Sequence, residues 1–160
     1  MNKGVYIALI SIGLAQFFKI PLHFFKTKKW DNSLFFQTGG MPSSHSAGVS
    51  SLTTFVALKR GLPTIDFALS LIFGLIVMYD AQGIRRQTGE LTLKVNNLGD
   101  LVDKINKDKN IQYTEKPKKL KQMLGHQPEE VFGGAILGII IGLIGHLLTK
   151  PKSKYHSFFK

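Results

Sequence analysis

No cysteine occurs anywhere in the 160 residues, so disulfides, thiolate metal sites and cysteine nucleophiles are all excluded. The absence says little about compartment, because a bundle held in a bilayer needs no covalent staple. Acidic residues are also scarce: 10 Asp and Glu stand against 21 Lys and Arg, a formal charge of +11. In a soluble chain that balance would suit nucleic acid. Here the cations flank apolar segments, which fits anionic headgroups or phosphorylated substrates better and argues against nucleic acid as the partner. No glycine-rich nucleotide fingerprint and no zinc-type spacing of ligands is present, so neither a cofactor nor a metal is expected.

What the chain does have is segregated hydrophobicity. Four segments read as helical spans: about Gly4 to Ile20, with an extension through Phe25; Ser46 to Leu58; Pro63 to Tyr79; and Val131 to Leu148. A bilayer core needs about 20 apolar residues of helix. The second segment is short and rich in Ser and Thr, so it belongs inside the bundle. The first ends in Phe17-Phe18-Lys19 with no small-residue cleavage site, and it reads as a retained helix, not a signal peptide. The expected fold is all-α: an integral membrane bundle of about four spans plus an amphipathic interfacial helix. It forms a single domain over residues 1–150, with a polar insertion at about 87–124 and a basic tail at 151–160.

Within the insertion, Leu91, Val95, Leu98, Val102 and Ile105 alternate at steps of four and three. They predict a helix whose apolar face packs on the bundle or the membrane surface, in preference to a coiled coil. Gly99 and the Asn96-Asn97 pair weaken that helix. Lys104 to Lys121 reads as a solvated basic loop. On the fourth span Gly134, Gly138 and Gly142 share one face, suited to close packing within the bundle or across a homodimer.

Threading four spans places three polar clusters on one membrane face. In Gly39-Gly40-Met41-Pro42-Ser43-Ser44-His45, the glycines free the backbone and Ser43 or Ser44 caps a helix whose N–H groups can receive an anion. The bland reading, an ordinary capped turn with an incidental histidine, fits this cluster equally well. Asp80 with Arg85 and Arg86 closes the third span, and guanidinium forks match phosphate oxygens. Interfacial snorkelling explains the arginines alone but not the carboxylate. In Gly125-His126-Gln127-Pro128-Glu129-Glu130, the proline and the acids suit a helix start, and Glu130 is placed to accept an N–H from His126. Two histidines, arginines, hydroxyls and free N–H groups supply the parts that phosphoryl transfer needs.

Pro42-Ser43-Ser44-His45, Tyr79-Asp80-Ala81-Gln82-Gly83-Ile84-Arg85-Arg86 and Gly125-His126-Gln127-Pro128-Glu129-Glu130-Val131 together resemble the divergent branch of the type-2 phosphatidic acid phosphatase superfamily. Members of that branch are also labelled acid phosphatase or vanadium-dependent haloperoxidase-related. The likeness spans Trp30 to about Gly142. It implies a metal-independent phosphatase with His126 as nucleophile forming a phosphohistidine, His45 as general acid and Glu130 as the orienting carboxylate. Ser43, Ser44, Gly40, Arg85, Arg86, Asp80 and Lys121 would surround the phosphate. The implied substrate is a lipid or prenyl phosphate or diphosphate. The chain departs from the wider superfamily in carrying Ser44 where a glycine is usual, and Leu120 where an arginine precedes the nucleophile. Those departures leave a second reading open, a non-catalytic protein that binds or moves a lipid phosphate. By the positive-inside rule, 14 of the 21 Lys and Arg on the site face put that face in the cytoplasm of a multi-pass cell-membrane protein.

Overall fold

A computed structural model describes residues 2–37, 39–108, 119–120 and 125–149. Among them there are five α-helices and no strand: α1 (Lys3–Thr27), α2 (Ser44–Arg60), α3 (Ile65–Gln82), α4 (Ile84–Asp108) and α5 (Pro128–Thr149). A single 3-10 turn, Asn32–Phe35, lies between α1 and α2. Lys121 and the 151–160 tail lie outside the described residues, as does most of the expected basic loop.

The first three helices each begin on a side-chain cap. Asn2 accepts from the Gly4 amide at 2.9 Å, Ser43 from the Ser46 amide at 3.3 Å, and Thr64 from the Phe67 amide at 3.3 Å. Thr64 explains why α3 starts at Ile65 and not at Pro63, whose ring can offer no capping oxygen. The first helix is longer than its most apolar core, because Pro21 sits within it without ending it. In lipid there is no water to compete for the backbone carbonyls, so the helix continues through the proline. It stops at Lys28, in the left-handed region at φ 58°, whose amide returns to the Phe24 carbonyl at 2.8 Å.

The helices are sorted by lining. α1, the α3–α4 run and α5 are long and apolar enough to cross a bilayer. Their large side chains point outward: Leu9, Phe17, Ile72, Phe73, Phe132 and Leu147 are all exposed. A contiguous apolar exterior of that extent is stable only in lipid. α2, about 25 Å long at 1.5 Å per residue, is shorter than a hydrocarbon core and stands in the middle, touching α1, α3 and α5. Its buried residues include Ser44, Ser46, Ser50 and Ser51, which explains its low hydrophobicity.

Small residues let α2 approach its neighbours. Gly134, Gly138 and Gly142 of α5 lie against the backbone of Ser43, Ala47 and Ser51 in turn, so the two helices run parallel in matched steps of four. A Cβ on Gly142 would stand 2.6 Å from the Ser51 carbonyl oxygen. The glycine face is therefore spent inside the chain, the first of the two packings its spacing allowed. Polar ties reinforce the packing: Ser11 Oγ donates to the Ala47 carbonyl at 2.9 Å, and Thr53 Oγ1 to the Ser70 carbonyl at 3.0 Å.

α4 continues from α3 past Gly83 and, among the described residues, contacts no other helix. Neither Gly99 nor the two asparagines break it. Its apolar stripe is not covered by the bundle, contrary to one of the two placements the periodicity suggested.

Candidate active site

The start of α2, the α3–α4 junction and the start of α5 converge at one end of the bundle. Two glycines with positive φ, Gly39 at 90° and Gly40 at 83°, turn the chain into α2. The Ser43 amide donates to the Glu130 carbonyl at 2.9 Å, joining the starts of α2 and α5. The His126 amide donates to the Ala81 carbonyl at 3.0 Å, joining the α5 leader to the end of α3. Gly125 lies so close to the backbone of Arg85 and Arg86 that a Cβ would meet the Arg86 Cα at 2.6 Å. These ties fix where His126 enters the site.

The His126 side chain is buried, at 4% exposure. Its Nδ1 stands 3.0 Å from Glu130 Oε2, and the same oxygen accepts the Gln127 amide at 3.2 Å. An ionised carboxylate can only accept, so Nδ1 carries the proton and the Nε2 lone pair is left free. Opposite is His45, on the first turn of α2, with the ring centroids 5.9 Å apart and the planes at 68°. The His45 ring is exposed, and Arg85, Lys19 and Asp80 lie within Coulombic reach of it.

The remaining residues named from sequence fall into different places. Arg85 Nε pairs with Asp80 Oδ2 at 2.6 Å, and Arg86 Nε with Glu90 Oε1 at 3.1 Å, all on exposed side chains. Ser43 is fully buried, and its Oγ accepts from both the amide and the hydroxyl of Ser46, so its side chain is a helix cap. Ser44 is also buried, on the same turn. Gly40 lies between two cavities. One, of about 430 Å³, is lined by Lys19, Leu22, Lys26, Met41 and Glu130 among others. The other, of about 320 Å³, is lined by Gly39, Arg86, Gly125 and Glu130 among others. Among the described residues no trio of His, Asp and Glu side chains is gathered to hold a metal ion.

Lys19 is the residue that sequence reasoning did not single out. It is 4% exposed on α1, its Nζ donates to the Gln37 carbonyl at 3.2 Å, and Glu130 acts on it electrostatically. With the first span ended near Ile20, this lysine looks like a terminal flank. With α1 running to Thr27, it lies two turns inside. The available signal was a lone cation preceding a further apolar stretch, Ile20 to Phe25, since charge inside a span is costly unless it serves something.

A helical membrane bundle with paired histidines at one end defines the class, and residues 1–141 match the divergent PAP2 family. The chain belongs to that family and is a PAP2-related membrane protein. It is 47% identical over 147 residues to the uncharacterized membrane protein YuiD of Bacillus subtilis (strain 168), covering 89% of this chain and 93% of that protein. No solved structure matches it.

Proposed function

We propose that the chain is a metal-independent phosphatase acting on a phosphorylated or diphosphorylated lipid, working through a phosphohistidine. The observation that carries this reading is the His126–Glu130 pair at 3.0 Å with His45 facing it. Nε2 of His126 attacks phosphorus, forming an N–P bond as the ester P–O bond breaks. His45, protonated, gives its proton to the departing lipid oxygen. Neutral His45 then takes a proton from water, which attacks phosphorus and breaks the N–P bond, releasing inorganic phosphate and restoring His126. Lys19 supplies positive charge for the phosphoryl oxygens, aided by Arg85 beside the rings. The mixed lining of the larger cavity, with Leu22 and Met41 beside Lys19 and Lys26, suits an amphiphile that is apolar at one end and anionic at the other.

The test is phosphate release from lipid phosphates by detergent-purified protein in EDTA. His126→Ala is expected to lower kcat on the order of a thousand-fold or more. Metal-free turnover that persists unchanged in this variant would defeat the mechanism. A second reading, a protein that holds lipid phosphate without cleaving it, is favoured by the engagement of Arg85 and Arg86 with carboxylates of their own. It requires substrate-dependent thermal stabilisation with no phosphate released.

A further inference from the structure

We propose that α4 is a dimerisation helix, pairing in parallel with α4 of a second copy of this chain. Thr88, Leu91, Val95, Leu98, Val102 and Ile105 recur at three- and four-residue steps along one face of α4, a stripe roughly 26 Å long at 1.5 Å per residue. Its hydrophobic members are exposed, from 42% at Val102 to 60% at Leu98, and no helix among the described residues covers them.

The order of side chains in the stripe selects the occupant. One set of alternate positions holds Thr88, Val95 and Val102, all β-branched, and the other holds Leu91, Leu98 and Ile105. β-branched residues at the first core position and leucine at the second favour two parallel strands. Charges lie off this seam: Asp100 pairs with Lys119 at 2.9 Å and Asn96 holds the Leu120 backbone through two hydrogen bonds, along the flank where Lys119 and Leu120 share a cavity of about 330 Å³ with Val95, Leu98 and Val102. A membrane surface fits less well. Helices that lie on anionic lipid carry lysine and arginine on their polar face. Over the whole of α4 five cations, Arg85, Arg86, Lys94, Lys104 and Lys107, are nearly balanced by four acids, Glu90, Asp100, Asp103 and Asp108, so the polar face is not the strongly cationic one such helices show.

The bilayer makes a short seam sufficient. An isolated coil of under three heptads is marginal in water. Here each α4 continues from α3, so two copies in one membrane emerge on the same side, already parallel, at high effective concentration. The inference requires nothing of the histidine chemistry.

Because the chain has no cysteine, single substitutions report directly. Leu98→Cys and Asn97→Cys would be made in the full chain and oxidised in native membranes. The expected result is a disulfide-linked dimer as the main species for Leu98→Cys and only a trace for Asn97→Cys, which lies outside the seam. Equal yields at both positions overturn the proposal, because they report collision alone. It is also overturned if Leu98→Cys fails to cross-link and is shielded from a soluble maleimide by the bilayer, the outcome for a lipid-bound helix. As an independent measure, native mass spectrometry from detergent should give twice the monomer mass for the unaltered protein. Leu98→Glu should return it to monomer mass; a dimer that survives Leu98→Glu also overturns the proposal. Leu98 contacts no other helix, so the bundle tolerates this change.

Discussion

At the scale of single residues, the Glu130 carboxylate has one task that an amide cannot perform. It holds the proton of His126 on Nδ1, 3.0 Å away, and so keeps Nε2 available. Glu130→Gln preserves size and still accepts the Gln127 amide through its oxygen, but its NH2 group can trap the imidazole in the opposite tautomer. The expected loss in kcat is about 10²- to 10⁴-fold with little change in KM or melting temperature, measured as phosphate release. Lys19 calls for a different readout. Replacing a buried cation with an apolar residue of similar length often leaves stability unchanged or raises it. Lys19→Met should therefore melt at or above the unaltered protein yet lose most of the stabilisation that inorganic phosphate or vanadate confers. Undiminished stabilisation would remove Lys19 from the anion site. The two residues also differ in how far the sequence revealed them. His126 and Glu130 are four apart at a helix start marked by Pro128, so their contact follows from local geometry. The surroundings of Lys19 depend on how far α1 runs past Pro21 and on a turn that brings Gln37 back to it, and neither is a local property.

At the scale of helices, glycine spacing was legible but its partner was not. A step of four on α5 says that a backbone comes close, without saying whose. The answer lies in α2, where Ser43, Ala47 and Ser51 repeat the same step. Gly138→Ala would press a methyl group onto the Ala47 carbonyl, which belongs to a helix fixed on three sides. It should destabilise the bundle by about 1–3 kcal/mol, seen as a lower thermal midpoint in detergent. Gly13→Ala is the matched control, since nothing lies within 4 Å of its Cβ position, and it should leave the midpoint unchanged or slightly raise it. The helices themselves were readable because hydrophobicity is segregated along the chain. Their ends shifted by a few residues where caps decided the matter. Ser43 starts α2 two residues earlier than the apolar pattern suggests, and Thr64 starts α3 two residues later than its proline. The extent of α4 was the hardest to see, since glycine and paired asparagines argue locally against a helix that the structure carries through to Asp108.

At the scale of the whole molecule, the polar chemistry is confined to one end. The starts of α2 and α5 and the end of α3 share that end with α4, while the α2–α3 turn at Leu62 lies at the other. Sidedness is thus a single binary property, and one pair of substitutions decides it. The cation bias of the site end argues for the cytoplasm, though cations that serve a ligand would produce the same bias. With no native cysteine, Asn97→Cys on α4 and Leu62→Cys on the turn, 65% exposed, can each be challenged in intact cells with a membrane-impermeant maleimide. A cytoplasmic site predicts labelling at position 62 and none at position 97 until the membrane is permeabilised. The reverse pattern would put the site outside the cell and assign the lysines around it to the ligand and not to topology. That outcome would also change the chemistry to be sought, because a lipid phosphate presented on the outer leaflet differs in source from one made within the cell.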